Sequence, residues 1–262
     1  MNDFINQMAF GWYPYLAVTV LVVGSIFRFD AQQFGWRSQS SQFLRKRQMM
    51  LGSNLFHMGI LVLLVGHFIG LLTPITVFDT LGVSHSFKQT AALVVGGLAG
   101  LAAFVGCTLL LHRRLLDPRI RRSSSWGDIA VLVLLWMQLI LGILTTYWTI
   151  QHLDGSEMVK FMRWANGILT LDPAAPDLIK EVALVYKLHI VLGLTLFLIT
   201  PFTRLVHIWS APLTYLIRPG FQIVRSRRVG RLRSPTHGPA GVAPSYGGDT
   251  VMRTALDEGR AT

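Results

Sequence analysis

The chain has 262 residues, 52% of them hydrophobic and only 14% charged, with a mean hydropathy of +0.47 and a formal net charge of +11. So much apolar surface does not fit inside one small water-soluble core, which excludes a soluble globular fold and points to lipid as the solvent. The basic excess would suit a nucleic-acid partner, but it is gathered in segments flanking apolar runs, so no nucleic acid is expected.

A bilayer core about 30 Å thick takes roughly 20 apolar residues per spanning helix, and five windows of that length are present. The expected fold is an all-α, multi-pass integral membrane bundle of five transmembrane helices. The first window is 8 to 27. Residues 1 to 11 lack a basic n-region and no small-residue cleavage site follows, so this helix is expected to be retained. The next segment, 28 to 48, carries Arg28, Arg37, Arg45, Lys46 and Arg47.

The second window, 49 to 72, contains His57 and His67 together with Gly52, Gly59, Gly66 and Gly70. These glycines suit the close approach of a flat group or another helix, and Gly66 to Gly70 has the small-xxx-small spacing of helix packing. Lys88 is the sole basic residue of the following loop. The third window, 91 to 111, holds the only cysteine, Cys107, expected to serve packing. Without CxxC or CxxCH, iron–sulfur or molybdenum chemistry has to sit on other subunits, and any haem has to be bound non-covalently.

The segment 112 to 128 carries five arginines, and the fourth window is 129 to 150. Gln151 to Glu181 mixes Lys160, Arg163 and Lys180 with five acidic residues; within it, Gly155 to Leu171 reads as a surface amphipathic helix, followed by the breaker run Asp172 to Pro176. The fifth window runs from 182 to about 208 and contains His189, Pro201, Arg204 and His207. The chain thus divides into a membrane domain, 1–217, and a basic, partly disordered tail, 218–262. Basic residues are retained on the cytoplasmic side, so the N-terminus is expected outside and the C-terminus inside.

Histidines at membrane depth are costly and tend to mark function, although an interhelical hydrogen bond or a proton relay in a transporter would also use them. Depth tests their pairing. With 1.5 Å rise per residue and midplanes near Leu61 and Leu196, His67 and His189 lie about 9 and 10 Å outward, while His57 and His207 lie about 6 and 16 Å inward. The expected pairs are therefore His67 with His189 and His57 with His207, as candidate axial ligands of two b-type haems. The inner mismatch calls for a bend at Pro201. Each ligating ring should donate its second N–H to a fixed acceptor, such as a backbone carbonyl, Ser53 or Asn54. Arg204 is a candidate clamp for the haem propionates.

The strings SNLFHMGIL from Ser53, VGHFIGLLTP from Val65, KLHIVLG from Lys187 and PFTRLVHIWS from Pro201 resemble the gamma subunit of bacterial respiratory nitrate reductase. The likeness continues through QHLDGSEM from Gln151 and SQSSQFL from Ser38, covering roughly residues 9 to 220. It implies a five-helix cytochrome b of the bacterial cytoplasmic membrane with a distal haem on His67 and His189 and a proximal haem on His57 and His207. Quinol would be oxidised near the outer haem, and electrons would pass to a cytoplasmic iron–sulfur beta subunit and a molybdenum alpha subunit that reduces nitrate. Lys88, in Phe87-Lys88-Gln89, resembles the family's quinol-site lysine, with His85 and His152 as further proton-accepting candidates. A related anchor of a sulfur-metabolism complex is the alternative within the same architecture.

Overall fold

The computed structural model describes residues 3–31, 46–151 and 154–210. The expected tail, the SQSSQFL segment and His152 lie outside these residues. Five helices are long and apolar enough to cross a membrane: α1 (Asp3–Ala31), α2 (Lys46–Leu72), α3 (His85–Leu116), α4 (Trp126–Ile150) and the span Leu184–Phe202, whose α-helical part is α6 (Leu184–Ile199). Between α4 and α6 lies the amphipathic α5 (Ser156–Leu169), close to the Gly155 to Leu171 expected for it.

Local chemistry sets the ends of these helices. Pro74 stops α2 two residues past Leu72, because the residue before a proline is driven out of helical geometry. The Ser84 hydroxyl accepts from Phe87 N at 3.2 Å and starts α3; the Ser125 hydroxyl accepts from Asp128 N at 3.1 Å and starts α4. Such caps satisfy donors that a helix leaves orphaned. Asp117 does the same for the short turn Pro118–Arg122, accepting from Arg119 N at 3.0 Å.

Within the bundle α2 packs on α3, α3 on α4, α4 on α6 and α6 on α1. The closest approach is between α2 and α3. A Cβ at Gly59 would stand 2.7 Å from Ala103 N and 2.8 Å from Ala103 Cβ, and one at Gly106 would stand 2.7 Å from Gly52 O. Small residues let two backbones meet where lipid provides no hydrophobic drive for helix association. The expected small-xxx-small pair, Gly66 and Gly70, does not do this: a Cβ at either would meet no atom within 4 Å. The packing glycines are Gly52 and Gly59, seven residues apart and so on one face of α2, opposite Ala99, Ala103 and Gly106. Cys107 is fully buried in the α3–α4 seam with Ala103 and Leu139, as a packing residue should be.

At one end of the bundle α5 lies against α1, α2 and α3. Its Trp164 donates Nε1–H to Phe10 O at 3.0 Å and meets the Phe10 ring edge-on, at a π-helical turn (Met8–Trp12) of α1. Asn6 donates to Pro176 O at 2.8 Å and Tyr15 to Ile168 O at 2.9 Å, fixing α5 and the 3-10 turn Ala175–Ile179 to α1.

The fifth span departs from the single helix expected over 182 to about 208. α-Helical geometry ends at Ile199; Thr200–Phe202 is a 3-10 turn, Thr203 is extended (φ −123°, ψ 179°) and Arg204–Ser210 is a second 3-10 segment. Pro201 has no N–H to continue the ladder, so the expected bend is a full break.

Candidate functional site

Of the four histidines, His57 and His67 sit on α2, His189 on α6 and His207 on the 3-10 segment Arg204–Ser210 that follows the fifth span, and α2 shares no extensive backbone packing with either of the latter among the described residues. Their rings nevertheless meet in two pairs. His67 and His189 have ring centres 6.2 Å apart, and His57 and His207 6.3 Å apart. Depth anticipated this pairing. The inner mismatch disappears because the chain turns after Ile199 instead of running on for eight more helical residues.

An imidazole nitrogen lies about 1.1 Å from its ring centre and metal–imidazole bonds are about 2.0–2.1 Å, so two rings sharing one metal ion stand roughly 6.2–6.4 Å apart. Both pairs have this spacing. The donor chemistry agrees for three of the four rings. His57 Nδ1 is 2.7 Å from Ser53 O, His67 Nδ1 is 2.7 Å from Leu63 O, and His207 Nδ1 is 2.5 Å from Arg204 O. With Nδ1–H donating to a carbonyl, the tautomer leaves the Nε2 lone pair for a metal. Ser53 serves mainly through its backbone, its hydroxyl being farther away at 3.2 Å, and Asn54 is not used.

His189 is held differently. Gln138 of α4 donates to the His189 carbonyl at 3.1 Å, and its amide nitrogen is 3.4 Å from His189 Nε2. His189 Nδ1 is buried and has no hydrogen-bond partner. That nitrogen faces Gly142 of α4, and Gln138, which the sequence did not single out, holds the His189 backbone.

Among the described residues no group of three or more His, Cys, Asp or Glu side chains could hold a metal ion. Two-imidazole pairs therefore suit a metal that brings its remaining ligands with it, as haem iron does.

Lys88 lies in the first turn of α3, at the His67 end of α2. Its Nζ donates to Met162 Sδ of α5 at 2.8 Å, stands 3.5 Å from Gly70 O, and sits 3.5 Å over the Phe78 ring centre. Gly70 is three residues beyond His67, about 4.5 Å along the helix. Lys88 is thus brought to the edge of the His67–His189 pair, with a thioether, a carbonyl and a ring face as its contacts. Met162 and Phe78 were not legible as site residues, since an apolar residue of an amphipathic helix reads as core. His85 bonds Asp79 at 2.8 Å and lines an open cleft with Asp154, Ser156, Lys160 and Arg163.

Arg204 is placed beside His207 but is engaged elsewhere. Its Nε is 3.3 Å from Asp128 Oδ1, and Arg114 Nη1 is 3.7 Å from the other oxygen of the same carboxylate. Asp128 thereby ties α3, α4 and the end of the fifth span together.

Interhelical imidazole pairs at two levels of one membrane bundle are the architecture of a membrane cytochrome. The chain belongs to the nitrate reductase gamma subunit family, whose model matches residues 6–227. It is 46% identical over 225 residues to the respiratory nitrate reductase 1 gamma chain of Escherichia coli (strain K12), covering 86% of this chain and 99% of that one. It is 38% identical over 222 residues to the nitrate reductase gamma chain of Bacillus subtilis (strain 168), covering 85% and 99%. It is also 34% identical over 230 residues to the nitrate reductase-like protein NarX of Mycobacterium tuberculosis, covering 86% of this chain and 35% of that longer one. The family carries haem b, which the imidazole pairs fit. Residues 228–262 lie beyond the family match.

Proposed function

We propose that this chain is the quinol-oxidising, di-haem cytochrome b anchor of a membrane-bound respiratory nitrate reductase, assembled with an iron–sulfur beta subunit and a molybdenum alpha subunit. The observation that carries the reading is the two ring pairs, 6.2 and 6.3 Å apart, set ten residues and so about 15 Å apart along α2. His67 with His189 would hold one haem b and His57 with His207 the other. The basic segments 28–48 and 112–128 favour the cytoplasmic side for the His57 end, which puts Lys88 and α5 outside. Bound there, the haems supply one-electron redox chemistry across the membrane, toward the beta subunit.

The side chains do the rest. Lys88 Nζ forms no salt bridge among the described residues, and we read it as positioned to donate to a quinol oxygen beside His67. Met162 of α5 covers its ammonium. The quinol's two protons leave on the same side, where His85, hydrogen-bonded to Asp79, faces an open cleft. At the other end Arg204 and Arg114, sharing Asp128, provide a net positive site for the anionic edge of a haem, so Arg204 acts within this cluster and not as an isolated clamp.

A reduced-minus-oxidised spectrum of the purified protein tests the reading. Two b-type haems are expected, with His67→Ala removing one and sparing the other. A chain without b-type haem would leave a histidine relay as the better explanation, and retention of both haems in His67→Ala would refute the ligand assignment.

A further inference from the structure

Residues 200–203 leave the α-helix where Thr200 and Pro201 are buried in the bundle, and a buried backbone carbonyl without a donor is costly. Part of this break is satisfied locally. Thr200 Oγ1 donates to Leu196 O at 2.7 Å, Thr203 N to Thr200 O at 3.2 Å, and Leu205 N to Thr203 Oγ1 at 3.3 Å. The carbonyls of Pro201 and Thr203 are taken by one side chain from another helix: Arg28 Nη1 of α1, at 2.6 and 2.7 Å.

The same face of α1 is shaped for the break. Gly24, one turn before Arg28, lies against the proline, so that a Cβ there would stand 3.0 Å from Pro201 Cβ and Cγ. A glycine admits the ring, and an arginine grips the carbonyls around it. His207 follows four residues after Thr203 and bonds Arg204 O, the first carbonyl past the gripped segment. A straight helix would carry His207 about 12 Å beyond Ile199 along the axis. Its ring instead lies 6.3 Å from His57.

We propose that Arg28 is a positioning residue for the His57–His207 pair: by binding the Pro201 and Thr203 carbonyls it sets the break that presents His207 to His57, and so the axial geometry of the haem held there. This rests on the reading of His57 and His207 as one ligand pair. By position Arg28 is an ordinary basic residue at a helix end; the two carbonyls give it a task that such a residue does not have. A guanidinium suits it, because planar, fixed donors hold two acceptors at once.

The test uses the whole complex, purified with Arg28→Met, Arg28→Lys and His207→Ala in parallel, and reads haem content, the optical and low-spin EPR signals of each haem, and their midpoint potentials. Arg28→Met should lower occupancy of the His57–His207 haem about tenfold relative to the other, as for loss of charge-assisted hydrogen bonds at buried carbonyls, and shift the EPR signal of what remains. Arg28→Lys should restore occupancy while leaving an altered signal. An Arg28→Met protein with both haems and both signals unchanged, while His207→Ala loses one haem, would overturn the proposal alone. Parallel loss of both haems in Arg28→Met, unrescued by lysine, would also overturn it, reducing Arg28 to a folding residue. Retention of both haems in His207→Ala would instead overturn the ligand pairing beneath it.

Discussion

Replacing Lys88 with methionine keeps the length of the side chain and removes its three N–H donors. The Lys88 ammonium contacts the Met162 thioether, the Phe78 ring face and, at 3.5 Å, the Gly70 carbonyl. A thioether is a weak acceptor, so transferring a donor from Met162 to a quinol oxygen costs little, and the new bond is charge-assisted. Such bonds contribute about 1.5–3 kcal/mol, which corresponds to a fall of roughly 10- to 150-fold in kcat/KM for quinol in Lys88→Met. Steady-state quinol oxidation by the intact complex measures it, with nitrate reduction from a soluble reductant supplied directly to the catalytic partner as the control. That control should be unchanged, and both haem spectra should be retained, because neither ring pair contacts Lys88. A quinol kcat/KM within about threefold of the parent, with both haems present, would refute the assignment.

Met162 is fully buried against Lys88, so Met162→Ala should cost about 2–5 kcal/mol of stability and raise the quinol KM, with haem content held; thermal melts and quinol titrations check both. Gly59→Leu drives a side chain into the Ala103 backbone, separating α2 from α3 and costing more than about 3 kcal/mol, so both haems should be lost together in a haem assay. Ser53→Ala removes the longer of two contacts to His57 Nδ1 and leaves the carbonyl, so it should alter stability by less than about 1 kcal/mol with an unchanged haem spectrum. Asp128→Asn leaves Arg114 and Arg204 without their shared carboxylate and should weaken retention of the haem on His57 and His207 more than that on His67 and His189, as read by separate EPR signals.

Much of the site was legible before any coordinates. Five apolar windows became five spans because hydropathy over 20 residues decides insertion whatever the neighbours do. The His67–His189 pair was legible because both rings lie within regular helix, where depth is residue number times rise. The His57–His207 pair was legible only as a remainder, since the same arithmetic on a straight helix leaves the two about 10 Å apart in depth. Four glycines of α2 were legible as places of close approach, but spacing did not tell which of them face a helix. Gly66 and Gly70 have the packing interval, but interval says that two residues share a face, not that the face meets a neighbour, and it is Gly52 and Gly59 that meet α3.

The sequence by itself determined the solvent of this protein, the number of its spans and the rings that belong together at one depth, because hydropathy and helical rise are local properties of the chain. Only the tertiary structure decided how the rings reach each other and what surrounds them: the break at Pro201, Arg28 on carbonyls 173 and 175 residues away, Met162 on Lys88, and Asp128 between two arginines. The side-chain contacts among these join residues of different helices, so where one helix lies decides which side chain can satisfy the next.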